Sequence, residues 1–165
     1  MADPSTNGTE DLVDVSRYLK LIIDKDGKWF QNGQEIVHPE VYRYFNQILE
    51  KGPDGVYRIK TASETCRVEV EDAPFVVQRV LEDQEGSLRI QLNDGSVETL
   101  NPQFLWIGEK NVPYTLVKGE RFHARFSRPA YYMLAEYIIC DDREETFYLE
   151  INGNRAPVAH QRPKS

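Results

Sequence analysis

The most distinctive charge pattern in the sequence is a short basic segment, KGERFHARFSR, at residues 118–128. In an extended strand, successive side chains point to opposite faces, so the apolar residues of this segment would face a core and the basic ones would face away from it. Guanidinium groups donate paired hydrogen bonds to phosphate and carboxylate oxygens, so such a face can bind an anion. The candidate residues of this anion site are Lys118, Arg121, His123, Arg125 and Arg128.

A second interpretation of the same segment remains open. The segment carries four cations and one carboxylate, in a chain whose net charge is −7. Its cations would then form an ordinary solvated face and pair with carboxylates such as Glu69 or Glu71, since exposed ion pairs are common and weak. Arg128 is a somewhat better candidate for binding, because it stands at a predicted helix start, where backbone N–H groups also favour anions. Its own positive charge at that helix end needs a partner, either a carboxylate or a ligand.

Three further residues have polar side chains at positions where they would either bind a ligand or stabilise a turn. Thr61 and Glu64 form a T-x-x-E pair, which resembles a helix-capping box but precedes a predicted strand. A turn held by side-chain hydrogen bonds is the structural alternative. Asp72 lies in VEVEDAPFVV, residues 68–77, where strand alternation breaks at a predicted corner around Ala73-Pro74. It would either accept backbone hydrogen bonds there, or face a groove and receive a donor from a ligand or from Arg128.

Common catalytic signatures are missing from the sequence. It contains no GxGxxG, GxxxxGK[ST], GxSxG or HExxH motif. The three histidines have no metal-ligand spacing, and Ser127 is better explained as a helix cap than as a nucleophile activated by His123. The two cysteines, Cys66 and Cys140, are expected to be reduced thiols. We therefore predict no metal and no cofactor, and a binding role is favoured over an enzymatic one.

Composition narrows the classes of partner. The excess of acidic residues argues against non-specific binding to nucleic acid or to an anionic membrane surface. No apolar run reaches the roughly 20 residues that span a bilayer, and the first residues lack the features of a signal peptide. These observations predict a cytoplasmic protein.

The apolar spacing predicts many strands and few helices. Residues 12–23 have helical periodicity, and proline at a helix start predicts two more helices, over 39–51 and 129–140. Hairpins are predicted at Asp26-Gly27, Asn32-Gly33 and Asp94-Gly95. The remaining predicted strands cover residues 56–60, 66–71, 76–82, 87–92, 96–100, 114–118, 121–126, 146–151 and 155–158. Residues 1–10 are predicted to be a disordered tail.

Internal similarity indicates a duplication. Residues 38–49 align with residues 128–139, so that Pro39 meets Pro129 and Tyr42 meets Tyr132. This similarity predicts an α+β protein of two lobes, each with antiparallel strands packed on a Pro-started helix. The predicted division is an N-terminal α+β lobe, residues 1–73, and a C-terminal β-rich lobe with one long helix, residues 74–165.

Several runs of the sequence resemble the bacterial domain-of-unknown-function family 1285. The most specific of them is EDAPF at residues 71–75, which follows a V-Y-x-I-x-T segment. The other runs are DGKWF at 26–30, HPEVYRYFNQILEK at 38–51, DGVYRIKTASE at 54–64 and VPYTLVKGERFHARFSRPAYYMLAE at 112–136. The resemblance covers residues 24–150. It implies a duplicated core, a C-terminal lobe similar to pleckstrin-homology folds, and a ligand site at the lobe interface for a small, nucleotide-like molecule in signalling.

Two segments depart from the family pattern. The family commonly has Thr-Pro-x-Glu where this chain has residues 61–64, and Gly-Gly-Leu where this chain has the charged residues 118–121.

Three functional hypotheses remain open. The first hypothesis is a ligand-binding or sensor protein for a small anionic molecule. The second is a protein-interaction module without a small-molecule ligand. The third is an enzyme of unrecognised type.

Overall fold

The computed structural model of the protein describes residues 12–160 and residue 162. The chain divides into two compact units, the first ending at Glu71 and the second beginning at Asp72. Within the described residues there are sixteen strands and two α-helices. The predicted α+β class is therefore confirmed, whereas the tail prediction for residues 1–10 lies outside the described residues.

The first unit is a single sheet with one helix. Its sheet has the strand order β4-β3-β2-β7-β6-β5, with the short β1 also paired to β7. The strands β2 and β7 run parallel, with Leu21 opposite Val68, and the other neighbours along this order are antiparallel. The elements are β1 (Val13–Asp14), β2 (Leu21–Ile23), β3 (Trp29–Gln31), β4 (Gln34–Glu35), α1 (Pro39–Ile48), β5 (Leu49–Lys51), β6 (Tyr57–Lys60) and β7 (Glu64–Val70).

The second unit has a six-stranded sheet, a three-stranded sheet and a helix. The larger sheet has the order β10-β9-β8-β13-β12-β11, and the smaller one has the order β14-β15-β16. Helix α2 packs on β8 and β13, which are parallel neighbours. The elements are β8 (Phe75–Glu82), β9 (Leu88–Leu92), β10 (Val97–Thr99), β11 (Leu105–Ile107), β12 (Pro113–Val117), β13 (Phe122–Phe126), α2 (Arg128–Ala135), β14 (Ile138–Asp141), β15 (Thr146–Ile151) and β16 (Asn154–Pro157).

The two six-strand paths have the same topology. In each, three consecutive strands form an antiparallel meander, three more form a second meander, and the first strand of the stretch pairs in parallel with the last. By this correspondence α1 matches the 3-10 turn Pro102–Phe104, since both lie between the third and fourth strands, and α2 follows the sixth strand. The sequence alignment paired α1 with α2, but the two helices occupy different positions in the shared topology. Their similarity reflects a proline at the helix start, which is a local feature.

The helix predicted over residues 12–23 is wrong. Those residues form β1, a turn and β2. Leu21 and Ile23 are buried in the sheet between β3 and β7, whereas Tyr18, which the helical stripe would bury, is 80% exposed. Pairing of β2 with β3 and β7 therefore outweighs the helical spacing of the apolar residues.

The two Pro-started helices are confirmed, but both are shorter than predicted. Helix α1 ends at Ile48 and α2 at Ala135, and the residues that follow form strands β5 and β14. The predicted hairpins are confirmed. Asn32 and Gly33 have positive φ angles of 49° and 84°, as a tight two-residue turn requires. The similarity of the C-terminal lobe to pleckstrin-homology folds stays a prediction.

A buried polar pair joins α1 to the first sheet. The indole Nε1 of Trp29 donates a hydrogen bond of 2.9 Å to Oδ1 of Asn46, whose side chain lies on α1. Asn46 is only 4% exposed. Its Nδ2 has no hydrogen-bond partner among the described residues. The pair therefore fixes the position of the helix through one hydrogen bond, with a second donor left unsatisfied.

Replacing Asn46 with Ala should lower the free energy of unfolding by about 1–3 kcal/mol, because the buried indole N–H loses its acceptor. Urea denaturation followed by tryptophan fluorescence measures this loss. The matched control is Gln47→Ala, at an exposed position of the same helix, which should change the stability by less than about 0.5 kcal/mol. Equal stability of the two variants would mean that the Trp29–Asn46 bond does not hold the helix in place.

Candidate functional site

Three strands of the second unit place aromatic and basic side chains in one row. In the register of the sheet, Trp106 on β11 lies opposite Tyr114 on β12, and Tyr114 lies opposite Arg125 on β13. Side chains at paired positions point to the same face of a sheet. The other face carries Thr115 and Ala124, which are fully buried. The core on that face therefore fixes which side chains appear on this one.

The aromatic rings of this face are in mutual contact. The rings of Trp106 and Tyr114 are stacked, with centroids 5.4 Å apart and an interplanar angle of 14°. The ring of His123 lies 6.3 Å from that of Tyr114 and 6.4 Å from that of Trp106. The three rings form a continuous aromatic surface beside Arg125.

Asp72 binds to this row from the bend that precedes β8. Its Oδ2 accepts hydrogen bonds from the hydroxyl of Tyr114, at 2.8 Å, and from Nη1 of Arg125, at 3.0 Å. Its backbone carbonyl lies 3.0 Å from Nε2 of His123. A carbonyl oxygen only accepts, so Nε2 carries a proton in this contact. We call Asp72, Trp106, Tyr114, His123 and Arg125 the Asp72 cluster.

The members of the Asp72 cluster differ in accessibility. The side chains of Arg125 and Asp72 are 28% and 30% exposed, whereas Trp106 is 6% exposed. The guanidinium carbon of Arg162 lies 5.8 Å from the Trp106 ring centroid, close enough for a cation–π contact. A ligand would therefore reach Arg125 and the edges of Tyr114 and His123 more readily than the indole.

Burial and the hydrogen bond to Asp72 raise the pKa of Tyr114 to about 12. Both causes favour the neutral phenol, since burial disfavours phenolate and the neighbouring carboxylate repels it. At neutral pH the hydroxyl of Tyr114 is thus a hydrogen-bond donor and not a base.

Lys118 lies apart from the Asp72 cluster and has a structural role. Its Nζ donates hydrogen bonds to Oδ2 of Asp94, at 2.6 Å, and to Oγ of Ser96, at 2.9 Å. The Asp94 side chain is 6% exposed. Burial acts to raise the pKa of Asp94, but the hydrogen bonds from Lys118 and Ser96 outweigh it and lower that pKa below its usual value. The ammonium group therefore connects the β12–β13 turn to the β9–β10 turn through these hydrogen bonds.

The two remaining arginines of the basic segment are exposed. Arg121 lies just before β13, and its Nε donates a hydrogen bond of 2.9 Å to the backbone carbonyl of Lys118. Arg128 is the first residue of α2. Ser127 caps this helix, because its Oγ accepts a hydrogen bond of 3.3 Å from the backbone N–H of Ala130. Neither arginine joins the Asp72 cluster in any contact between described residues.

Thr61 and Glu64 form a turn in the first unit, before β7. The backbone N–H of Glu64 donates to Oγ1 of Thr61 at 3.1 Å, and the backbone N–H of Thr61 donates to the carbonyl of Glu64 at 2.8 Å. Both residues are exposed. The carboxylate of Glu71, which the solvated-face interpretation offered as a partner for the basic segment, accepts instead from the backbone N–H of Lys25.

Sequence reasoning missed Trp106 and Tyr114 as members of the candidate site. The strand β11 was not predicted, because it is only three residues long and follows a 3-10 turn. The available signal was the apolar run LWI between Pro102 and Gly108. It would have suggested a strand but not its pairing with β12.

The described residues contain neither a helix that could span a membrane nor a metal-binding group of side chains. Neither α-helix in that part of the chain is long and apolar enough to cross a membrane. The same residues contain no group of three or more histidine, cysteine, aspartate or glutamate side chains placed to hold a metal ion.

Comparison with known proteins supports the resemblance found in the sequence. Residues 14–73 match the model of the N-terminal domain of the domain of unknown function DUF1285. A crystal structure of a DUF1285 family protein from Silicibacter pomeroyi DSS-3 is similar with a TM-score of 0.70 and 24% identity, over 86% of this chain and 80% of that one. A second, from Shewanella baltica OS155, gives 0.62 and 22%, over 73% and 94%. No curated protein matches. At these identities the two structures show a shared fold.

Replacing Tyr114 with Phe should keep the ring stack and remove the hydrogen bond to Asp72, at a cost of about 1 kcal/mol near neutral pH. The stabilising effect of the raised pKa is complete below pH 10, where the phenol is protonated in both the folded and the unfolded protein. It is lost as pH rises towards 12, because the unfolded state ionises first. The stability difference between wild type and Tyr114→Phe, measured by urea denaturation, should thus shrink above pH 10. A difference that stays constant or widens there would contradict the assignment.

Proposed function

We propose a function for this chain from the geometry of the Asp72 cluster, because the domain that residues 14–73 match is described only as one of unknown function. It is a cytoplasmic binding protein for a small anionic, nucleotide-like ligand, with a sensor-type role in signalling. Arg125 binds the anion. Tyr114 and His123 contact the rest of the ligand.

The observation that carries this proposal is the partial engagement of Arg125. Among the described residues only its Nη1 is hydrogen-bonded, to Asp72, although a guanidinium group has five N–H donors. The side chain is partly exposed and lies in the same row as the Trp106–Tyr114 stack. An oxyanion and a flat ring side by side are what a nucleotide presents, and arginine beside aromatic rings suits both.

Asp72 has two effects on the proposed site. It orients Arg125 and Tyr114 through hydrogen bonds to both. Its negative charge also lies beside the position at which a ligand anion would reach the remaining donors of Arg125, so it weakens anion binding. A site of this kind favours a ligand whose charge or aromatic contacts compensate for that repulsion.

Binding fits the chemistry of the Asp72 cluster better than catalysis does. The raised pKa of Tyr114, about 12, keeps its hydroxyl protonated at neutral pH. The Nε2 proton of His123 is directed at the backbone carbonyl of Asp72. No group in the cluster is arranged as a nucleophile with an adjacent base, which is what covalent catalysis requires.

A protein-interaction role is the second candidate, and one specific observation favours it. Val37, Val41 and Tyr44 are exposed apolar residues spaced four and three positions apart, at and just before α1. Val41 and Tyr44, which belong to α1, lie on one side of the helix, and Val37 precedes it. Aspartate in place of Val41 would remove binding to a protein partner while leaving a small-molecule site in the second unit intact.

The proposal predicts that binding of a small anion depends on Arg125. In a thermal-shift screen with inorganic phosphate, ATP, GTP and cyclic AMP, at least one nucleotide should stabilise the wild type, by about 2.7 kcal/mol at 100 times its dissociation constant. Arg125→Ala should abolish the shift. The matched control is Arg128→Ala, which removes the same charge at an exposed position outside the cluster and should keep the shift. No shift with any probe, or equal loss in both variants, would reject the proposal.

The Asp72→Asn variant tests the same site in the opposite direction. It preserves the shape of the side chain and removes the competing negative charge, so the nucleotide that stabilises the wild type should bind about fivefold more tightly, equivalent to about 1 kcal/mol. Isothermal titration calorimetry measures the change. Unaltered affinity together with lower stability would identify Asp72 as a structural residue of the corner and nothing more.

A further inference from the structure

The second unit contains a pocket that the Asp72 cluster does not use. Its apolar wall is formed by Ile107, Ala135, Ile138, Phe147 and Val158. These residues come from the end of β11, the end of α2, strands β14 and β15, and the segment after β16. Ile107 follows Trp106 in β11, so the two side chains point to opposite faces of that strand.

The walls of this pocket are held in place by backbone hydrogen bonds. The N–H of Ile107 donates to the carbonyl of Ala159 at 2.8 Å, and the N–H of Val158 donates to the carbonyl of Phe147 at 2.9 Å. The segment after β16 is thereby tied to both β11 and β15. A pocket bounded by paired backbone is preformed, so a ligand would not have to order its walls on binding.

The size of the pocket suits a small molecule. Its volume is about 350 Å³, within the range of small-molecule sites. Phe147 remains exposed although it lines the pocket, so an apolar ligand would cover surface that the protein leaves in water.

The polar residues of the lining restrict the ligand further. Asn111, Tyr131 and His160 supply hydrogen-bonding groups, and the described residues of the lining include no carboxylate and no lysine. His160 lies edge-on to Phe147, with ring centroids 6.0 Å apart. Asn111 has a left-handed backbone, with φ of 60°, and follows Lys110, with φ of 57°. A lining that is apolar, with side-chain N–H and O–H donors from Asn111, Tyr131 and His160, favours an apolar ligand whose single polar group accepts hydrogen bonds.

We propose that this pocket is a second binding site, which takes a small aromatic or branched apolar molecule bearing one anionic or hydrogen-bond-accepting group. The apolar wall buries the hydrocarbon part of the ligand, and this supplies most of the affinity. Asn111, Tyr131 and His160 orient its polar group. The site is independent of the anion site at Arg125, and either one can exist without the other.

The probe for this site is 1-anilinonaphthalene-8-sulfonate, an aromatic molecule with one anionic group whose fluorescence rises in apolar surroundings. The full-length protein should bind it with a stoichiometry of one. Ala135→Phe places a ring at the pocket wall and should weaken binding at least tenfold, and Ala135→Leu should weaken it less. Ala135 is exposed at the end of α2, so both variants are expected to fold, and circular dichroism with thermal unfolding verifies this.

The matched control is Glu136→Phe, which adds the same ring at the neighbouring exposed position, outside the pocket lining. It should bind the probe as the wild type does, and so should Arg125→Ala, because the two sites are independent. Equal probe binding by wild type, both Ala135 variants and Glu136→Phe would overturn the proposal. So would the absence of saturable binding to the folded wild type. Loss of binding in Arg125→Ala would place the probe at the Asp72 cluster instead.

Discussion

The parallel pairing of β8 with β13 is the interaction on which the candidate site depends. Its register places Phe75 opposite Ala124 and Val77 opposite Phe126, and all four are buried. The same register brings the bend at Asp72 against β13, where the carboxylate meets Arg125, 53 positions later in the chain. A slip of one residue would move every side chain of a strand to the opposite face. Packing of the core on one face of the sheet therefore determines which polar groups meet on the opposite face.

The first unit shows that the same constraint does not by itself create a site. There β2 pairs in parallel with β7, with Ile22 opposite Glu69, just as Val76 lies opposite Arg125 in the second unit. Glu69 thus takes in the first sheet the position that Arg125 takes in the second. A shared topology with an acidic residue in place of a basic one supports different chemistry, so function has to be argued from the side chains and not from the repeated fold.

The parts of the structure that sequence reasoning predicted are those that local chemistry determines. Asn-Gly and Asp-Gly turns require positive φ at known positions, proline starts a helix, and alternation assigned the two faces of β13. The failures concern long-range pairing. Residues 12–23 have helical spacing but form strands, since Leu21 and Ile23 are buried between β3 and β7. The contacts of Asp72 with Tyr114 and Arg125 also depend on strand order, which periodicity does not contain.

Not every cation of the basic segment, residues 118–128, belongs to the proposed anion site, because these cations make different contacts. Lys118 donates to Oδ2 of Asp94, whose side chain is 6% exposed, so removing the ammonium group would leave a buried carboxylate oxygen without its cationic partner. Arg125 and Asp72 are each about 30% exposed, and an ion pair this accessible contributes little stability. The contacts of Lys118 are explained by their contribution to stability, whereas the exposed ion pair of Arg125 contributes little to it. Of the cations in the segment, Arg125 is the one that lies beside the aromatic rings. Some of its guanidinium N–H groups have no hydrogen-bond partner among the described residues.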